Sequence, residues 1–111
     1  MMSNQLKLRA KEIDVDQLVF MERYVTNLLK WDLLAFFGSH PVEQKNASEI
    51  AKAVGRSLSV VRLELGDLAI LNLLRKSNGH SQPVYELTHN SILRNQIIKF
   101  ARQHLDAPGV S

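Results

Sequence analysis

The chain has 111 residues, of which 45% are hydrophobic and 23% charged, with 14 Lys and Arg against 11 Asp and Glu for a net charge of +3. That length suits one domain, and the apolar content is too high for a chain disordered throughout. The longest strictly apolar run, residues 33–37, is far short of the about 20 residues a membrane span needs, and the lack of cysteine excludes disulfides, iron–sulfur clusters and thiolate metal sites.

Residues 1–13 are polar and basic, carry no clear period and read as a flexible arm. They hold no apolar segment of signal-peptide type, so a cytoplasmic location is expected. From Asp14 the spacing turns helical. Leu18, Met21, Val25, Leu28 and Leu29 recur at three and four residues and predict an apolar stripe. Asp14 and Asp16 suit the positive end of that helix's dipole. Residues 31–37 are apolar on almost every side and predict a buried segment, with Gly38 as its C-cap and Pro41 soon after. Residues 16–37 fit one helix, or two with a bend near Lys30. Residues 38–46 read as a loop with a short strand around Val42.

Asn46 is an N-cap candidate, and Glu49 three residues later can bond back to it in a capping box. Ile50, Ala51 and Val54 give that helix a short apolar face, and Gly55 ends it. Ser57 is the next N-cap candidate, for a helix over residues 58–71 with Val61, Leu65 and Leu68 on its buried side. Asn72 suits a left-handed residue at its end. The period then changes. Residues 73–76 and 83–88 predict two strands around a polar hairpin, with Asn78-Gly79 as the turn signal and Pro83 at a strand start. A last helix over about residues 90–105 carries Ile92, Leu93, Ile97, Phe100, Ala101 and Leu105 as its stripe, and residues 106–111 form a Pro/Gly tail.

Charge is unevenly spread. Residues 1–50 carry six basic and seven acidic side chains; residues 51–111 carry eight basic and four acidic, an excess that points to an anionic partner for the second half. That half contains two helices joined by a short turn with a glycine, the helix-turn-helix pattern, over residues 46–72. In this arrangement the first helix braces the second, which can then enter a DNA major groove about 12 Å wide.

On these residues the chain resembles the winged helix-turn-helix domains of prokaryotic transcription regulators. Trp31-Asp32-Leu33-Leu34 match the helix behind the motif, Ser48-Glu49-Ile50-Ala51 with Gly55 the supporting helix, and Val61, Leu65 and Leu68 the inner face of the recognition helix. Leu73-Leu74-Arg75-Lys76 and Val84-Tyr85-Glu86-Leu87-Thr88 match the wing strands. Among such proteins it is most similar to the small dimeric ArsR-like or MarR-like repressors, without a thiolate metal site.

The resemblance implies a mainly α, α+β fold. It has a three-helix core and a two-stranded wing (residues 73–88) inside a single domain over residues 14–105, with additional N- and C-terminal helices. It implies a DNA-binding transcription regulator that reads the major groove with residues 58–71 and touches backbone or minor groove with residues 75–85. It further implies a homodimer paired through the N- and C-terminal helices, so that two recognition helices meet a palindromic site. Ser57, Ser59 and Arg62 would lie at or in the groove, Arg75, Lys76, Asn78 and His80 on or beside the wing, and Lys45, Ser48, Lys52 and Arg56 near the backbone around the motif.

A wheel at 100° per residue places Ser59, Arg62, Leu63, Gly66 and Ile70 opposite the buried face of residues 58–71. Here the chain departs from the family pattern, because only Arg62 is basic. Leu63 would meet a thymine methyl and Gly66 would allow a DNA backbone to come close, or the Leu63/Ile70 face serves a winged-helix module that binds protein. No nucleophile–base pair stands at a motif spacing and no Gly-rich phosphate loop is present, so no enzyme and no cofactor are expected. The four histidines, His40, His80, His89 and His104, never stand four residues apart and read as solvated, so no metal site is expected. Trp31, Phe36 and Phe37 read as core, and Arg94, Lys99 and Arg102 as a solvated helix face.

Overall fold

The computed structural model describes residues 14–79 and 81–105; the expected arm, the tail and His80 lie outside them. Helix α1 (Val15–Tyr24) starts at Asp14, whose carboxylate accepts the Gln17 N–H at 3.1 Å. Lys99 of the last helix also donates to that carboxylate, and together these bonds hold Asp14 below the ordinary carboxylate range. Helix α2 (Leu28–Ser39) begins anew after Asn27, whose side chain accepts the Lys30 N–H at 2.7 Å. So residues 16–37 form two helices, and the break falls before Leu28.

A two-residue strand β1 (Lys45–Asn46) leads into α3 (Ala47–Val54). Asn46 and Glu49 form the expected capping box, each side chain accepting the other's backbone N–H at 2.9 Å. Gly55 closes α3 at φ +70°, a conformation that costs a side chain but not glycine. Helix α4 (Leu58–Ile70) follows, then Asn72 at φ +66°, then the hairpin of β2 (Leu74–Asn78) and β3 (Pro83–Leu87). Helix α5 (Ser91–Leu105) ends the described chain. The sheet is antiparallel in the order β1-β3-β2, with Lys45 opposite Tyr85 and Lys76 opposite Tyr85 on its other side.

One core joins all of these. Leu33, Leu34 and Phe37 of α2, Ile50 of α3, Val61, Leu65 and Leu68 of α4, Leu73, Leu74 and Leu87 around the sheet, and Ile97 and Phe100 of α5 are all nearly or fully sealed from water. Five helices and a three-stranded sheet among the described residues, with the wing hairpin beside α4, make a winged helix.

Several local expectations are corrected. Gly38 does not cap α2. It lies inside the helix, where a Cβ would stand 2.5 Å from the Ile97 carbonyl oxygen and 2.6 Å from the Ala101 side chain, so it lets α2 and α5 touch. The C-cap is His40, whose N–H donates to the Phe36 and Phe37 carbonyls. The strand expected near Val42 lies instead at Lys45–Asn46, where it can pair with β3. Leu18 and Ile92, assigned to apolar stripes, are 52% and 74% exposed, while Gln17 and Phe20 carry the buried side of α1. Ser57 has the extended backbone of an N-cap, but its hydroxyl makes no capping bond.

Candidate nucleic-acid interface

Helix α4 has two unlike sides. Val61, Leu65 and Leu68 are sealed in the core, and Leu63 and Ile70 stand 79% and 83% exposed. A third side meets α2, and it holds a contact that no sequence pattern announced. Lys30 of α2 is 7% exposed, and its ammonium lies 2.6 Å from Glu64 and 3.1 Å from Asp67. Asn27 adds a bond to Glu64 at 3.2 Å. The Glu64 carboxylate raises the Lys30 pKa against the opposing effect of burial, and Asp67 adds to it. Both acids of α4 are thus engaged by Lys30, away from the Leu63–Ile70 line.

Between α4 and the hairpin lies a depression of about 380 Å³ lined by Ala47, Arg62, Gly66, Lys76, Gln82, Pro83 and Tyr85. It brings together three of the residues singled out from the sequence: Arg62, Gly66 and Lys76. Ser57, Ser59, Leu63 and Asn78 are exposed, and Ser48 is half-buried on α3. Lys52, Arg62 and Lys76 are exposed and make no ion pair among the described residues.

The other candidate cations are already partnered. Arg56 meets Asp32 at 2.6 Å, and Lys45 meets Glu43 at 3.2 Å. Arg75 lies against His89, which bonds Glu86 at 2.7 Å. The Gln44 amide and then His89 hold the Glu86 carboxyl below its ordinary range. These contacts tie the base of the hairpin to the segments before β1 and after β3.

Two histidines differ from their solvated reading. His40 is half-buried on Phe36, with its Nδ1 2.9 Å from the Phe36 carbonyl oxygen. His104 packs on Trp31 and Phe100 at centroid distances of 4.3 and 4.6 Å, and its Nε2 is buried without a partner among the described residues. Burial lowers its pKa. No group of three metal-ligating side chains occurs among the described residues, nor any helix long and apolar enough to cross a membrane. Phe37 is core as expected; Trp31 and Phe36 are half-buried, packing on that core and also lining an open depression of about 340 Å³ between α2 and α3.

No protein-family model matches the chain, and no curated protein matches it. Solved structures do. The chain is similar to the AntR antimony-specific transcriptional repressor at 20% identity and a TM-score of 0.58, over 77% of this chain and 75% of that one. It is similar to a possible transcriptional regulator from Methanosarcina mazei Go1 at 17% identity and a TM-score of 0.60, over 87% and 84%. The YusO protein from Bacillus subtilis matches at 22% identity and a TM-score of 0.58, over 96% of this chain and 78% of that one. At these identities the likeness is one of fold.

Proposed function

We propose that this winged helix is a DNA-binding transcription regulator of the ArsR-like or MarR-like kind. In this reading α4 enters the major groove, and the β2–β3 hairpin contacts backbone or the adjacent minor groove. One observation carries it. Arg62 and Lys76 flank a single open depression beside α4, while Lys30 holds the two acids of that helix away. One structural neighbour is a transcriptional repressor and another a possible transcriptional regulator, which supports the same reading. Lys52 supplies a further phosphate contact, whereas Lys45, Arg56 and Arg75 contribute only after giving up their present partners. The protein binds rather than catalyses, and the cytoplasm is where its DNA lies. Residues 1–111 hold no cysteine, so a thiolate site like those of metal-responsive repressors is absent from them.

The protein acts as a homodimer through its terminal helices. Val15, Leu18 and Val19 of α1, Leu28 of α2 and Ile92 of α5 are apolar and at least half exposed, positions suited to contact with a second copy. A two-fold dimer would set two α4 helices about one DNA turn apart, roughly 34 Å. Light scattering at micromolar concentration should give twice the chain mass.

The decisive measurement is retention of duplex DNA across a salt series. For a dimer making six or more phosphate contacts, affinity should fall about 1,000-fold or more between 50 and 200 mM salt. Arg62→Ala should weaken it about tenfold. No retention at low salt, together with higher solubility of Leu63→Glu, would leave a protein-binding module instead.

A further inference from the structure

We infer that α4 discriminates bases through thymine methyl groups, with Leu63 as the specificity-determining contact and Gly66 as the point of close approach. The inference rests on the regulator reading and says how the base sequence is told apart. The major groove offers hydrogen-bonding edges on every base pair but an apolar group only at the thymine C5-methyl. Adenine is read by Asn or Gln, cytosine by Asp or Glu, and guanine by Arg or Lys. Helix α4 contains no Asn, Gln or Lys, and its two acids bind Lys30. Arg62 alone remains for guanine or phosphate, and it lines the depression on the hairpin side.

Along its outer side α4 carries Ser59, Leu63 and Ile70, all exposed, with Gly66 among them half-buried at the edge of the depression it shares with Arg62 and Lys76. Two of these are large apolar side chains that nothing in the chain covers among the described residues. Gly66 is unexplained from within. A Cβ there would meet no atom within 4 Å, and glycine weakens a helix interior relative to alanine. A surface from outside that comes close to the helix accounts for it. Exposed Arg62 and Lys76 line the depression that Gly66 shares, and they fit an anionic occupant. Leu63 and Ile70 are seven residues apart, about 10.5 Å along the axis, or roughly three base steps of 3.4 Å. A half-site with two thymines at about that separation fits both.

The experiment starts from duplexes recovered by selection from a random pool, with affinity read by fluorescence anisotropy. Each thymine is then replaced by uracil, which removes only the methyl. The wild-type protein should bind about three- to fivefold more weakly for each contacted methyl lost, the scale of one buried methyl. Leu63→Ala alters an exposed position, so it should fold, and it should bind the thymine and uracil duplexes alike at the Leu63 step. If the wild-type protein shows salt-dependent binding but holds both duplexes equally, the inference fails and the regulator reading stands. If no duplex is retained at low salt, the regulator reading fails and takes the inference with it.

Discussion

Helices α2 and α4 are both apolar around most of their circumference, yet the chain treats them oppositely. Helix α2 packs against α3, α4 and α5 over most of its length, and Leu33, Leu34 and Phe37 are fully sealed from water, with Leu28 at its start left exposed. Helix α4 is enclosed on one side and leaves Leu63 and Ile70 to solvent on the other. An all-round apolar helix signals burial, but not what does the burying. For α2 it is the chain itself. For α4 the inner side belongs to this core, and the outer side is available to another molecule.

Substitutions can break or sharpen this contrast. The largest effect is expected from Phe37→Ala, which opens a cavity in the core and should cost about 3 to 5 kcal/mol in urea denaturation. Leu63→Ala, of the same apolar kind, should stay within about 0.5 kcal/mol of the parent. Next comes the seam between the two helices. Lys30→Met leaves Glu64 without its cation at a side-chain exposure of 14% and should cost about 2 to 3 kcal/mol. Adding Glu64→Leu should recover most of that loss, because removing both charges leaves no buried ion behind.

Gly66→Ala should have the opposite sign to both. With open space at that position, the higher helix propensity should raise stability by about 1 kcal/mol. DNA binding should weaken in the same variant, so a variant that is more stable and binds equally well would contradict close approach at Gly66. The smallest effect concerns the packing of α5 on α2. Burial lowers the His104 pKa, so the unfolded chain takes up protons there before the folded one does. The stability from this site is therefore present above the ordinary histidine value of 6.5 and lost as pH falls through the folded value. The urea midpoint should drop between about pH 7 and pH 5, and His104→Phe should reduce that drop.

What was legible in the sequence was what is encoded within a few residues. The Asn46–Glu49 box, the left-handed Gly55 and Asn72, and the change of period into the hairpin each rest on neighbours along the chain. The exposure of Leu63 and Ile70 followed from periodicity, because Val61, Leu65 and Leu68 fixed the opposite side. Periodicity failed on α1 and at the start of α5. It tells which residues share a side, but Leu18 and Ile92 lie on sides that meet solvent, and Gln17 takes an inward position. Gly38 looked like a terminator because glycine ends many helices; its true constraint is the backbone of Ile97, far along the chain. At the candidate interface the cations were readable by type, but their partners were not. Arg56 finds Asp32 from 24 residues away, and Lys30 finds Asp67 from 37 residues away.

The Lys30 contact also bears on how this chain can change over generations. Positions 30, 64 and 67 form one unit of variation. Losing the lysine alone strands the Glu64 carboxylate at 14% exposure, though Asp67 reaches solvent, and losing both acids alone strands a lysine that is 7% exposed. Among homologous chains these three positions should therefore change together, toward a matched set of charges or toward an apolar set, and seldom one at a time.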